Sequence, residues 1–134
     1  MTDRGVIEHR ARAQQIRDFS GLRYGNITPT DIDGLIEYQN IAYVIIETKF
    51  GDAELPKGQN LALERIGDAL GKHKHVIVII STHNHPIEED IDLAKTIVKR
   101  VRWHCKWIDM NKSHTVREVI DRFINSIKQK SSVQ

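Results

Sequence analysis

Residues 29–50 read PTDIDGLIEYQNIAYVIIETKF, and the way this stretch folds decides the architecture of the chain. Over 31–38 polar and apolar residues alternate as in a half-buried strand. Gln39-Asn40 is a turn signal, and 41–50 is the strongest β-forming run of the sequence. The two runs predict an antiparallel hairpin. Three acids and a lysine, Asp31, Asp33, Glu47 and Lys49, stand inside it. Burying a charge without a partner is costly, so these four side chains call for a common explanation. Side chains alternate along a strand, which puts Glu47 and Lys49 on one face with Thr48 opposite, and gives Asp31 and Asp33 a shared face. A turn at 39–40 brings Asp33 level with Ile46 and Glu47, so the charges converge at one end of the hairpin.

Outward from the hairpin, residues 4–19 are polar with sparse apolar points at Val6, Ile16 and Phe19; the spacing predicts a helix stopped by Gly21. A short strand is expected over 22–27. After the hairpin, GDAELPKG is a loop. Residues 59–70 carry Leu61, Leu63, Ile66, Ala69 and Leu70 at helical spacing, with Gly71 as the stop. HVIVII at 75–80 reads as a strand covered on both faces. STHNHPIEED predicts a loop leading into a helix, with Pro86 near its first turn and Leu93, Ile97 and Val98 along one side. RWHCKWIDM alternates as one strand. The last stretch, from residue 111, predicts an amphipathic helix capped by Ser113 or Thr115, with Val116, Val119, Ile120, Phe123 and Ile127 as its buried stripe, and 127–134 fraying as a tail. The sum is α/β: a single domain over 1–134 with a mixed sheet that starts from an antiparallel hairpin, and helices on both faces.

Composition limits the function classes. The 134 residues are 40% hydrophobic and 28% charged, and 20 Lys and Arg against 18 Asp and Glu leave a net charge of +2. A local basic patch, more than this balance, would govern any binding to phosphate. One cysteine, Cys105, allows no intramolecular disulfide, which fits a reducing compartment. The start, MTDRGVIEHRARAQQ, has no apolar core of a secretory signal, and the run Val76 to Ile80 is too short to span a bilayer. A cytoplasmic protein with no membrane partner is expected.

Two carboxylates a few ångströms apart repel unless a cation or a proton sits between them. Hard divalent ions such as Mg²⁺ favour such oxygen ligands and typically take only one or two protein carboxylates, leaving other positions to water and phosphate oxygens. A neighbouring lysine would orient or help deprotonate an attacking water, or offset charge developing on a phosphate. Such a set suits phosphodiester hydrolysis. The bland alternative is an ordinary same-face ion pair between Glu47 and Lys49 beside solvated acids.

At these residues the chain resembles the PD-(D/E)XK nuclease superfamily, the restriction-endonuclease-like fold that includes Holliday-junction resolvases and phage and restriction nucleases. PTDIDG resembles the first half-motif and Glu47-Thr48-Lys49 the second. The resemblance implies an αβββαβ core within residues 4–81 and a divalent-metal-dependent nuclease, an endonuclease or resolvase-like enzyme acting on DNA, with Mg²⁺ or Mn²⁺ as cofactor. It implies Asp33 and Glu47 as metal ligands, Lys49 as the catalytic lysine, and Gln59 at the start of the following helix as a positioning residue. Asp31 and Glu8 are lesser candidates for the metal. Thr30 separates Pro29 from the first acid, a departure from the family pattern; related members with an acid-Ile-Asp pattern use the second acid, which favours Asp33. Lys57 and Arg65 are the nucleic-acid contacts expected near the site. Little sequence lies outside this core, so specificity would come from DNA shape, from a homodimer, or from a protein partner. The alternative is a catalytically inactive nucleic-acid-binding or assembly module on the same fold.

The remaining signals are weaker. HKH at 73–75 and HNH at 83–85, with His104, Cys105 and His114, invite a zinc site, but they flank a strand at opposite ends and read as loop histidines. Trp103 and Trp107 are expected on one strand face, as core or a dimer surface, with Cys105 a packed thiol between them. Lys95, Lys99, Arg100, Arg102 and Lys106 form a basic stretch that suits contact with phosphate, and a solvated helix face explains most of them as well.

Overall fold

A computed structural model of the chain describes residues 5–132. The chain divides into two units, Met1–Thr30 and Asp31–Gln134. In the first, the helix expected over 4–19 contracts to the single turn α1 (Arg10–Ala13), which buries no residue and has no side-chain cap. Residue 4 lies outside the described residues. Val6 and Ile16 are exposed, and a lone turn with no apolar face to bury gains too little to propagate. The strand expected over 22–27 is a single bridge between Tyr24 and Ile27, closed over Gly25 at φ 62°.

The second unit is a five-stranded mixed sheet in the order β1-β2-β3-β4-β5. β1 (Gly34–Tyr38) and β2 (Ala42–Phe50) form the expected antiparallel hairpin, with Gly34 opposite Ile46. Its two turn residues, Gln39 and Asn40, both have positive φ (50° and 59°), the backbone that lets a two-residue turn follow the right-handed twist of the strands. α2 (Lys57–Leu70) crosses over to β3 (His75–His83), which runs parallel to β2. α2 seats closely because Gly67 faces β3: a Cβ there would lie 2.8 Å from Val78 Cγ2.

Beyond β3 the structure departs from the sequence expectation. There is no helix over the late eighties and nineties, only a 3₁₀ turn at Leu93–Lys95 before β4 (Ile97–Trp103), which returns antiparallel to β3 and pairs with β5 (Lys106–Asp109). Ile97, Val98 and Val101 are β-branched, and the free edge of β3 offers them a ladder that an isolated helix would not. The expected single strand over RWHCKWIDM is thus the middle of a hairpin that turns at His104 and Cys105, both at positive φ. Within residues 4–81, where an αβββαβ core is expected, the elements are α1, β1, β2, α2 and β3, one strand short of it, and β4, β5 and a last helix follow.

α3 (Val116–Ser132) begins with a capping box. Thr115 Oγ1 accepts from the Glu118 N–H, and Glu118 Oε1 accepts from the Thr115 N–H, each at 3.2 Å. The helix continues through residues expected to fray, and Ile127 is buried. Its stripe Val116, Val119, Phe123 and Ile127 closes one face of the sheet on Ala42, Val44, Ile46, Ile77 and Ile79. α2 covers the other through Leu63, against Ile45, Val78 and Ile80. Helices therefore flank a mixed sheet on both faces, as expected. Among the described residues no helix is long and apolar enough to cross a membrane.

Candidate functional site

Register places the charged residues. Gly34 pairs with Ile46, so the chain just before β1 reaches the level of Glu47. The strand starts at Gly34 and not at residue 31 as expected, because Asp33 takes over the next ladder position with its side chain: its Oδ2 accepts the Thr48 N–H at 2.9 Å. That bond ties Asp33 to the Glu47-Thr48-Lys49 tripeptide. Asp31 lies in the extended lead-in, exposed and without a hydrogen bond or ion pair among the described residues.

Glu47 sits on the α2 face of β2, in line with Ile45, and is only 2% exposed. Lys49 Nζ lies 3.2 Å from Glu47 Oε1. Glu47 Oε2 is buried with no hydrogen-bond partner among the described residues. Burial, and next the negative charge of Asp33, push the Glu47 carboxyl above its ordinary value; Lys49 and the Gln59 amide pull the other way without prevailing. Gln59 is buried in the first turn of α2, which follows Pro56 with no side-chain cap. The structure thus brings together Asp33, Glu47, Lys49 and Gln59, drawn from the lead-in to β1, from β2 and from α2.

Of the other candidates, Glu8 belongs to the Met1–Thr30 unit, exposed and ahead of α1. Lys57 is exposed at the start of α2, and Arg65 is exposed two turns further along it. His83 and His85 stack at 5.9 Å, and His85 Nδ1 pairs with Glu89 Oε2 at 2.9 Å. Among the described residues no group of three or more His, Cys, Asp or Glu side chains could hold a metal ion, so a histidine-based zinc centre has no support and the carboxylates count as a pair of donors.

The tryptophans do not share a face. Trp103 packs edge-on against Phe123 on the α3 side (5.6 Å between centroids), whereas Trp107 faces α2 and its Nε1 donates to Glu64 Oε1 at 2.6 Å. Cys105, expected to be packed, is exposed in the turn between β4 and β5. The basic stretch is not a helix face. Lys99, Arg100 and Arg102 lie in β4, and Arg100 and Arg102 turn toward α2: Asn60 Oδ1 accepts from Arg100 Nη2 at 2.7 Å, and Asp68 accepts two bonds from Arg102 at 2.9 Å each. The sequence marks Lys99 and Arg100 only as part of a basic stretch, with a helix face as the rival reading; their place in β4, and Asn60 as the partner of Arg100, come from the structure.

No protein-family model, no curated protein and no solved structure matches the chain.

Proposed function

We propose that the chain is a divalent-metal-dependent nuclease hydrolysing DNA phosphodiester bonds, with Asp33 and Glu47 as the ligands of Mg²⁺ or Mn²⁺. The observation that carries this reading is Glu47 Oε2: a carboxylate oxygen buried without a hydrogen-bond partner among the described residues, beside a second carboxylate, in a group whose ionised form the surroundings disfavour. An orphaned buried acceptor costs about 1–3 kcal/mol. A hard cation between the two carboxylates would satisfy that oxygen and remove the repulsion, and two protein carboxylates are a normal complement for Mg²⁺. The hairpin–helix–strand order of β1, β2, α2 and β3 also supports the likeness to the restriction-endonuclease-like core, as does the position of Gln59 in the first turn of α2.

When bound, such a cation supplies Lewis-acid polarisation of the phosphoryl oxygen and acidification of a water. The chain's own residues do the rest. Asp33, anchored by the Thr48 N–H, and Glu47, fixed in β2 between two paired strands, hold the donor oxygens in place before substrate arrives. Lys49, held at 3.2 Å from Glu47 and still part-exposed, presents its ammonium where it orients the attacking water or offsets charge developing on the phosphate. The Gln59 amide positions water or a phosphate oxygen. Water adds to phosphorus as one ester P–O bond breaks, leaving a phosphomonoester and a free hydroxyl with no covalent enzyme intermediate.

The test is incubation with plasmid, linear duplex, single-stranded and four-way-junction DNA in Mg²⁺, Mn²⁺ or EDTA, beside an Asp33→Ala/Lys49→Ala variant. Cleavage that needs the divalent ion and falls by at least about 10²–10³ in the variant is expected, the scale set by loss of one preorganised charge-stabilising group. Cleavage that persists in the variant, or no cleavage of any substrate, overturns the proposal; DNA binding without cleavage would identify an inactive nucleic-acid-binding module.

A further inference from the structure

Next to the carboxylate centre, on the same face of the sheet, lies a cleft of about 970 Å³ between the first turns of α2 and the β4–β5 hairpin. Its walls include Lys57, Asn60 and Glu64 of α2 and Lys99, Arg100 and Asp109 of the hairpin. The strand register fixes its distance from the centre. Glu47 pairs with Ile80, Ile80 with Arg100, and Arg100 with Asp109, so the four side chains form one row across the sheet. Two strand spacings separate Glu47 from Arg100, roughly 10 Å. That is the axial rise of about three nucleotides along a duplex strand.

The charges in this cleft are held in place without being neutralised. The Arg100 guanidinium is half-buried, donates to the neutral Asn60 Oδ1 at 2.7 Å, and lies 4.1 Å over the Trp107 ring. No carboxylate comes within ion-pair distance of it among the described residues. Lys99, beside it and half-buried, has neither hydrogen bond nor ion pair for its ammonium there, and the Lys57 ammonium likewise has none. Of the acids lining the cleft, Glu64 Oε1 accepts from Trp107 and Asn60 and Asp109 Oδ1 accepts the Asn111 N–H, while Glu54 is exposed and pairs with neither Arg100 nor Lys99. Arg102, on the same face of the same strand, shows the contrast, since Asp68 meets it with two bonds. A part-exposed planar guanidinium fixed by neutral groups presents its remaining N–H groups in the geometry that phosphate oxygens match.

We infer that this cleft grips the sugar-phosphate chain of a nucleic-acid strand, with Arg100 and Lys99 contacting its phosphates and feeding the strand toward Asp33 and Glu47. Its place along the substrate rests on the nuclease proposal; the binding itself does not.

The experiment is fluorescence anisotropy of fluorescein-labelled single-stranded and duplex DNA with the full chain in EDTA, over about 50–200 mM salt. Wild type is compared with Lys99→Gln, Arg100→Gln, the double variant and Lys128→Gln, the last an exposed cation of α3 on the opposite side of the sheet. Each cleft substitution is expected to weaken binding severalfold and to flatten the log–log salt dependence by about 0.7–0.9, the value of one phosphate contact, while Lys128→Gln changes neither. The arm with the larger loss names the strand form. Because Arg100 covers Trp107, thermal melts accompany the series; Lys99→Gln removes no hydrogen bond and keeps the test valid if Arg100→Gln unfolds. Unchanged affinity and slope in folded cleft variants, or no DNA binding by wild type, overturns the inference. Binding that depends on the cleft in a chain that cuts no substrate sinks the nuclease proposal and leaves the inference standing; cleavage that is indifferent to the cleft does the reverse.

Discussion

On the α3 side of the sheet, Val44, Ile46, Ile77, Ile79, Val98 and Val101 meet Val116, Val119, Phe123 and Ile127 with no charged side chain among them. On the α2 side the buried apolar cluster is smaller, Ile45, Leu63, Val78 and Ile80 with Leu55, Leu70 and Trp107 part-buried against it, and the layer also holds Glu47, Gln59, Arg100 and Arg102. A single sheet of this size needs one well-packed apolar face to be stable. Supplying it through α3 frees the α2 face to carry charges that lower stability. Within that face the charges divide again: Arg102 is matched to Asp68 and Glu47 Oε1 to Lys49, while Glu47 Oε2 has no hydrogen-bond partner and the Arg100 guanidinium no carboxylate within ion-pair distance among the described residues, and these two lie on one row of the sheet.

The largest expected effect strikes the apolar face. Phe123→Ala, at a residue 5% exposed and packed on Trp103, should cost about 3–5 kcal/mol in urea or thermal unfolding. A cost below about 1 kcal/mol would mean that the α3 side is not the stabilising face. Next in size is Asp68→Asn, which strips the carboxylate from an Arg102 side chain only 14% exposed. About 1–2 kcal/mol is expected, below the value for a fully buried pair because Asp68 itself is 32% exposed. Arg102 holds the Asp68 carboxyl below its ordinary 3.8, so the folded state binds this proton less tightly than the unfolded chain. Its contribution is therefore complete above that value and is lost as pH falls below it. Unfolding midpoints of wild type and Asp68→Asn should converge in acid and separate toward neutrality; a constant gap would show that the bond geometry, and not the charge, is what matters.

The sequence disclosed the β1–β2 hairpin, α2, β3 and α3 because each has its own signal: Asn40 tolerates the positive φ of a tight turn, Gly71 stops a helix, and the apolar stripe behind Ser113 and Thr115 marks a capped amphipathic helix. It concealed the start of β4 and the turn that divides β4 from β5 for the same kind of reason in reverse. The turn between them uses His104 and Cys105, which announce nothing, and the acids and leucine of 88–95 imitate the start of a helix until the free edge of β3 overrides them. The convergence of Asp33, Glu47 and Lys49 was legible, since it needs only strand alternation and one turn. Arg100 was not, because its partner Asn60 is 40 residues away and the strand that carries it reads as a helix.

Glu47→Gln carries the smallest expected change in stability and the opposite sign. Burial, then Asp33, raise the Glu47 carboxyl above its ordinary 4.5, so here the folded state binds the proton more tightly than the unfolded chain. Wild-type stability should fall as pH rises from about 4.5 through the raised value, and the cost of ionised Glu47 is complete beyond it. Glutamine titrates no proton and avoids that cost. The variant should match wild type near pH 4 and exceed it by about 1 kcal/mol at neutral pH, the lower end of the cost of a buried unpaired acceptor. Mg²⁺ or Mn²⁺ should raise the unfolding midpoint of wild type and leave that of Glu47→Gln unmoved, since only the carboxylate offers the ion its second anionic ligand. If instead the variant is less stable at every pH, Lys49 alone balances Glu47. The charged face would then be an ordinary ion pair, and the contrast between the two sides of the sheet would lose its functional meaning.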